Sequence, residues 1–91
     1  MMRELFLKTV SMEDALGKKR SYDYSILVDE MDVGPYSCES YGLRIAEQGS
    51  GEECRVPHIT CSISRIDELS RLVVDGGVTP VTLADVVADW L

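Results

Sequence analysis

Residues 76–91, GGVTPVTLADVVADWL, decide how the rest of the chain is read. The paired glycines end a helix, because glycine takes the left-handed conformation after a helix C-terminus without steric cost. Thr79-Pro80 then blocks continuation. Thr82 is placed to cap a new helix, with Asp85 three positions on to complete a capping box. Beyond it Leu83, Val86, Val87, Trp90 and Leu91 recur at i, i+3, i+4, i+7 and i+8, the spacing of one apolar helix face. A helix of about ten residues does not hold in water by propensity alone, so this face has to pack. The lone tryptophan lies on it, which predicts a largely buried Trp90.

Upstream, residues 64–75 read as a longer helix. Ser62 or Ser64 caps it, Ser64-Arg65-Ile66-Asp67 resembles a capping box, and Ile66, Leu69, Leu72 and Val73 form its apolar stripe. Everything before alternates like strand. Residues 4–10 place Leu5 and Leu7 on one face and Phe6 and Val10 on the other. Residues 22–31 place Tyr22, Tyr24, Ile26 and Val28 against Ser25, Leu27 and Met31, apolar on both sides. Residues 37–47 put Glu39, Tyr41, Leu43 and Ile45 on one face, and Gly42 marks a bulge or a close backbone approach. Residues 53–59 contain Pro57, which suits an edge or broken strand. Between the first two strands a polar segment with Gly17 reads as a loop, and residues 48–52 read as a hairpin tip. The expected fold is one α+β domain over 1–91: a three- to four-stranded antiparallel sheet, β-β-β-β-α-α, with two C-terminal helices on one face.

Tyr41-Gly42 within a strand, Ile63-Ser64 at a helix start, and Val78-Thr79-Pro80 followed by LADVVADWL resemble an uncharacterised family of short bacterial proteins, known only as a domain of unknown function. The resemblance covers residues 22–91 and is strongest over 78–91. It implies a single-domain cytoplasmic protein and transfers no catalytic or binding residue.

Composition narrows the function. Apolar residues at 45% and charged residues at 27% are ordinary for a globular chain. A net charge of −7 repels phosphate backbones and anionic lipid, which argues against nucleic-acid and membrane partners. Five of the nine cations lie within residues 1–20, a strip too weak to predict nucleic-acid binding. No apolar run is long enough to span a bilayer. Three cysteines without a secretion signal suit free thiols in a reducing compartment, so a cytoplasmic location is expected.

The sharpest chemical constellation is Cys54-x3-His58-x2-Cys61, with Cys38 on a neighbouring strand. These are zinc-ligand types, but the paired C-x2-C knuckle that gathers two sulfurs is missing. In an extended strand Cys54 and His58 share a face that Cys61 does not. Cys61 just before a helix, with His58 three residues away, also suggests a thiol nucleophile, but no third member or oxyanion-hole pattern accompanies it. Asp29-Glu30-Met31-Asp32 lacks a calcium-loop register, and Gly49-Ser50-Gly51 lacks the lysine of a phosphate loop. The four tyrosines fit the ordinary aromatic stock of a small sheet. The reading is therefore no metal, no cofactor and no catalytic residue. A non-enzymatic interaction or accessory module leads, and a small Cys/His metal-binding or thiol-redox protein is the alternative. A two-layer fold leaves one sheet face partly uncovered, so a protein partner or a homodimer is expected to cover it.

Overall fold

The computed structural model describes residues 2–91 (for Val33, the backbone). Its elements are β1 Met2–Glu13, β2 Lys19–Val33, β3 Tyr36–Glu47, β4 Glu53–Thr60, α1 Ile63–Asp75 and α2 Leu83–Trp90. The strands form one antiparallel sheet in the order β1-β2-β3-β4, and the two helices follow. The α+β fold is the one that the sequence predicts.

The first hairpin is longer than the sequence suggests. β1 runs to Glu13 and β2 starts at Lys19, which leaves only residues 14–18 as a tip. Asp14 makes this tip. Its Oδ1 accepts the backbone N–H groups of Leu16 and Lys18 at 2.9 Å each, standing in for a strand partner. The second hairpin turns at Gly34, and the third at Gly49 and Gly51, both with positive φ.

Pairing fixes the faces. Tyr22, Tyr24, Ile26 and Val28 of β2 oppose Glu47, Ile45, Leu43 and Tyr41 of β3, and this row carries the core beneath the helices. One facing of β1 differs from the expected alternation. A bulge at Leu7 shifts the register between Phe6 and Lys8, so Leu5 and Val10 both oppose core-face residues, Ile26 and Tyr22. Val10 therefore packs against the core, and Phe6 stays on the helix-free face at 63% exposure.

α1 packs on β2, β3 and β4, and α2 on β4 and α1. Ser62 caps α1 by accepting the N–H of Arg65, and Ile66, Leu69, Ser70 and Val73 are its buried side. Leu72, expected in that stripe, is half exposed because the stripe turns toward Ser70 instead. The helix ends in a Schellman arrangement: Gly77 takes the left-handed φ of 62°, and Val78 N–H reaches the Val73 carbonyl at 3.1 Å. The Thr82–Asp85 capping box is not formed. Thr82 sits at right-handed helical dihedrals, and its hydroxyl turns back to the Thr79 carbonyl. In α2, Leu83 and Val87 are buried, Val86 and Trp90 are partly buried, and Leu91 is exposed. Trp90 is largely covered, as expected, although it is not sealed. Its ring packs against the core on one side, and the Arg65 guanidinium covers it on the other.

Element lengths explain which apolar surface stays open. β2, with 15 residues, spans about 50 Å at the usual rise of a strand. α1, with 13 residues, spans about 20 Å. The molecule is accordingly elongated, 54 × 24 × 17 Å. The helices cover one end of one sheet face and leave β1 almost bare, with Met2 to Thr9 all exposed.

Candidate functional site

The uncovered part of the helix-bearing face forms a groove of about 610 Å³. Leu5 of β1, Ile26 and Val28 of β2, Tyr41 of β3, and Ile63 and Ile66 of α1 line it. Ile63 is 70% exposed and Leu5 51%, so two large aliphatic groups of this lining stand in water. Arg3, Glu39 and Asp67 stand at the rim, and Arg3 donates to Glu39 across the sheet. The sequence pattern placed these side chains, Arg3 and Ile63 apart, within elements, but not the gap between them. The gap follows from an α1 much shorter than the strands beneath it.

The helix-free face is partly uncovered, as the two-layer argument expects, with Phe6 63% and Met31 39% exposed, but its centre is closed. Leu27 is 2% exposed there, and Ser25 and Ser40 are buried too. Gly42, opposite Leu27, lets β4 cross closely: a Cβ at Gly42 would meet the Val56 carbonyl oxygen and stand 2.6 Å from Pro57 Cα. Around this point the face is ionic. Arg44 donates to Glu4 at 2.9 Å and to Glu53, bridging β3 to β1 and β4. The Arg44 hydrogen bond is the main reason the Glu53 carboxyl is held below the usual carboxylate range.

The metal candidates Cys38, Cys54, His58 and Cys61 are not gathered. Cys54 opposes Ile45 and packs against the core beneath the helices. His58 does not share its face, because the chain bulges opposite Gly42 and His58 takes φ 56°. Its Nε2 instead lies 3.3 Å from Asp29 Oδ2 on β2. Cys38 and Cys61 do come near each other: Cys61 directly follows Thr60, which opposes Tyr41, a short way along β3 from Cys38. Burial, then the neighbouring Cys61, pushes the Cys38 thiol up from its ordinary value. Among the described residues no three His, Cys, Asp or Glu side chains form a metal-holding group.

The remaining candidates are placed as follows. Asp29, Glu30 and Asp32 lie along one continuous strand, where adjacent side chains alternate faces. Gly49-Ser50-Gly51 is a hairpin tip whose Ser50 hydroxyl donates to Glu47 at 3.0 Å. The N-terminal basic strip is partly neutralised within the chain, because Arg20 pairs with Asp14 and with Glu47. Tyr22, Tyr24 and Tyr41 are core residues, and Tyr36 is exposed at the second hairpin. No described helix is long and apolar enough to cross a membrane.

No curated protein and no solved structure matches the chain. The model of a family of unknown function, DUF6514, matches residues 3–91, nearly the whole length, and the chain belongs to that family.

Proposed function

We propose that the chain is a non-enzymatic interaction module whose groove between β1 and the start of α1 holds an apolar segment of a partner protein, flanked in that partner by lysine or arginine. The observation that carries this reading is the groove itself. Leu5, Ile26, Val28, Tyr41, Ile63 and Ile66 make one apolar lining on a small chain, and such patches mark binding surfaces. Charge selects the partner. The chain carries −7, and the rim offers Glu39 and Asp67 against a single Arg3. A second copy would bring the same negative charge, whereas a cationic segment would be drawn in.

Edge-to-edge strand addition is the less favoured mode. β1 carries a bulge and Lys8 at mid-strand, and β4 carries Pro57 and the bulge beside it, the usual devices that block a sheet edge. Three unpaired thiols suit a reducing compartment such as the cytoplasm.

The test is selection from a random peptide library on the folded chain, with counter-selection on Ile63→Asp. Ile63 is mostly exposed, so that variant should fold. Enriched peptides should combine apolar residues with lysine or arginine, and should shift backbone resonances of Leu5, Ile26, Val28 and Tyr41. Peptides that shift other regions, or no enrichment, would refute the reading. A light-scattering mass of two chains that returns to one in Ile63→Asp would assign the groove to a second copy instead.

A further inference from the structure

We propose that Cys38 and Cys61 are a redox pair, which a small-molecule disulfide oxidises to an intramolecular bond tying the β4–α1 junction to the start of β3. The pairing of β3 with β4 brings them together. Tyr41 opposes Thr60 at the end of β4, so the chain one residue later reaches the level of β3 near Ser40 and Cys38. Cys61 sits at the bend before the Ser62 cap of α1, beside the first residues of β3 and close enough to Cys38 to perturb its thiol. Sequence separation hid this pair, and the C-x3-H-x2-C spacing pointed to different partners.

Exposure orders the chemistry. Cys61 is open to solvent and Cys38 is partly covered. The Cys61 thiol loses its proton and attacks one sulfur of the small disulfide. That S–S bond breaks, and the departing thiolate takes up a proton. The Cys38 thiol then loses its proton and attacks the Cys61 sulfur of the mixed disulfide, expelling the second small thiol. Two protein thiols give up two electrons and two protons, and one small disulfide becomes two thiols. Cys54 lies apart, against the core, and stays reduced. The inference does not depend on the docking reading, and its test reads the cysteines alone.

Arg44 and Arg55 separate the three cysteines in sequence, so trypsin places each on its own peptide. The folded chain is treated with oxidised glutathione, alkylated and mapped by mass spectrometry. The expected product joins residues 21–44 to residues 56–65, with Cys54 alkylated. Cys38→Ser should keep a glutathione adduct on Cys61, and Cys61→Ser should leave Cys38 with little adduct. A lasting adduct on wild-type Cys61, a bond that includes Cys54, a disulfide between two chains, or three unmodified thiols would each overturn the proposal.

Discussion

The guanidinium of Arg65 lies 4.3 Å from the centre of the Trp90 ring, so a cation on α1 closes over the penultimate residue of the chain. The ring is packed on one side and covered on the other by a solvated group. Trp90→Ala should therefore cost about 1–3 kcal/mol, less than the roughly 3–5 kcal/mol of a sealed tryptophan. Arg65→Ala should cost about 0.5–1 kcal/mol, the scale of an exposed cation–π contact. Denaturant midpoints of both variants check the pair. A Trp90→Ala midpoint equal to wild type would show α2 to be a dispensable tail.

Gly42→Ala tests the close crossing of β4 over β3. The added Cβ meets backbone atoms of Val56 and Pro57, which cannot rotate away as a side chain end would. The cost should reach about 3 kcal/mol or more, at the upper end for overpacking. Gly49→Ala is the control. It has open space around it and only the penalty of a positive φ, about 1–2 kcal/mol. Equal losses in the two variants would mean that β4 gives way at little cost.

The chain order of elements was legible because each has its own period: two in the strands, near 3.6 in residues 64–75 and 83–90. The facing of β2 and β3 followed from the same alternation. The facing of Val10 did not, because one extra residue in β1 at Leu7 reverses every side chain after it, and no local signal marks that bulge. Gly42 was readable as a bulge or a close approach, because glycine inside a strand marks one or the other. The consequence, His58 turned toward Asp29 and away from Cys54, needed the crossing itself. The groove lay beyond pattern reading for another reason. Alternation says which side of a strand is apolar, but only the relative lengths and placement of helix and sheet say how much of that side is covered.

Acid should weaken the fold through carboxylates at the hairpin ends. The Ser50 hydroxyl, then Arg20, holds the Glu47 carboxyl below its ordinary value of 4.5. Backbone N–H groups, led by Lys18, do the same for Asp14 below 3.8. The folded state thus binds fewer protons than the unfolded chain in this range. The stabilisation is complete above the unfolded values and is lost as pH falls through the lower folded ones. Urea midpoints should be flat from neutral to about pH 5 and drop below it. Glu47→Gln should start lower at neutral pH and converge with wild type in acid. Curves that stay parallel throughout would remove Glu47 from the account.

Tyr24 joins the middle of the sheet to the segment between the helices. It is 1% exposed, and its hydroxyl donates to the Val78 carbonyl at 2.8 Å. Val78 is also the residue whose N–H closes the end of α1 on Val73, so this one contact seats both the helix terminus and the turn that leads into α2. Tyr24→Phe keeps the ring in the core and removes only the donor. The loss should be about 1–2 kcal/mol, that of a partly buried hydrogen bond whose acceptor stays behind. Burial, then Tyr22, raises the Tyr24 hydroxyl above its ordinary value of 10.0. The folded state therefore keeps this proton longer than the unfolded chain. The contribution is whole below pH 10.0 and is lost as the pH rises through the folded value. The phenylalanine variant has no such proton, so its deficit against wild type should be largest near neutral pH and shrink in alkali. Urea midpoints of the two proteins at neutral pH and above 10.0 decide it. An equal gap at both would mean that the hydroxyl is not held by folding, and no gap at either would mean that water replaces the bond.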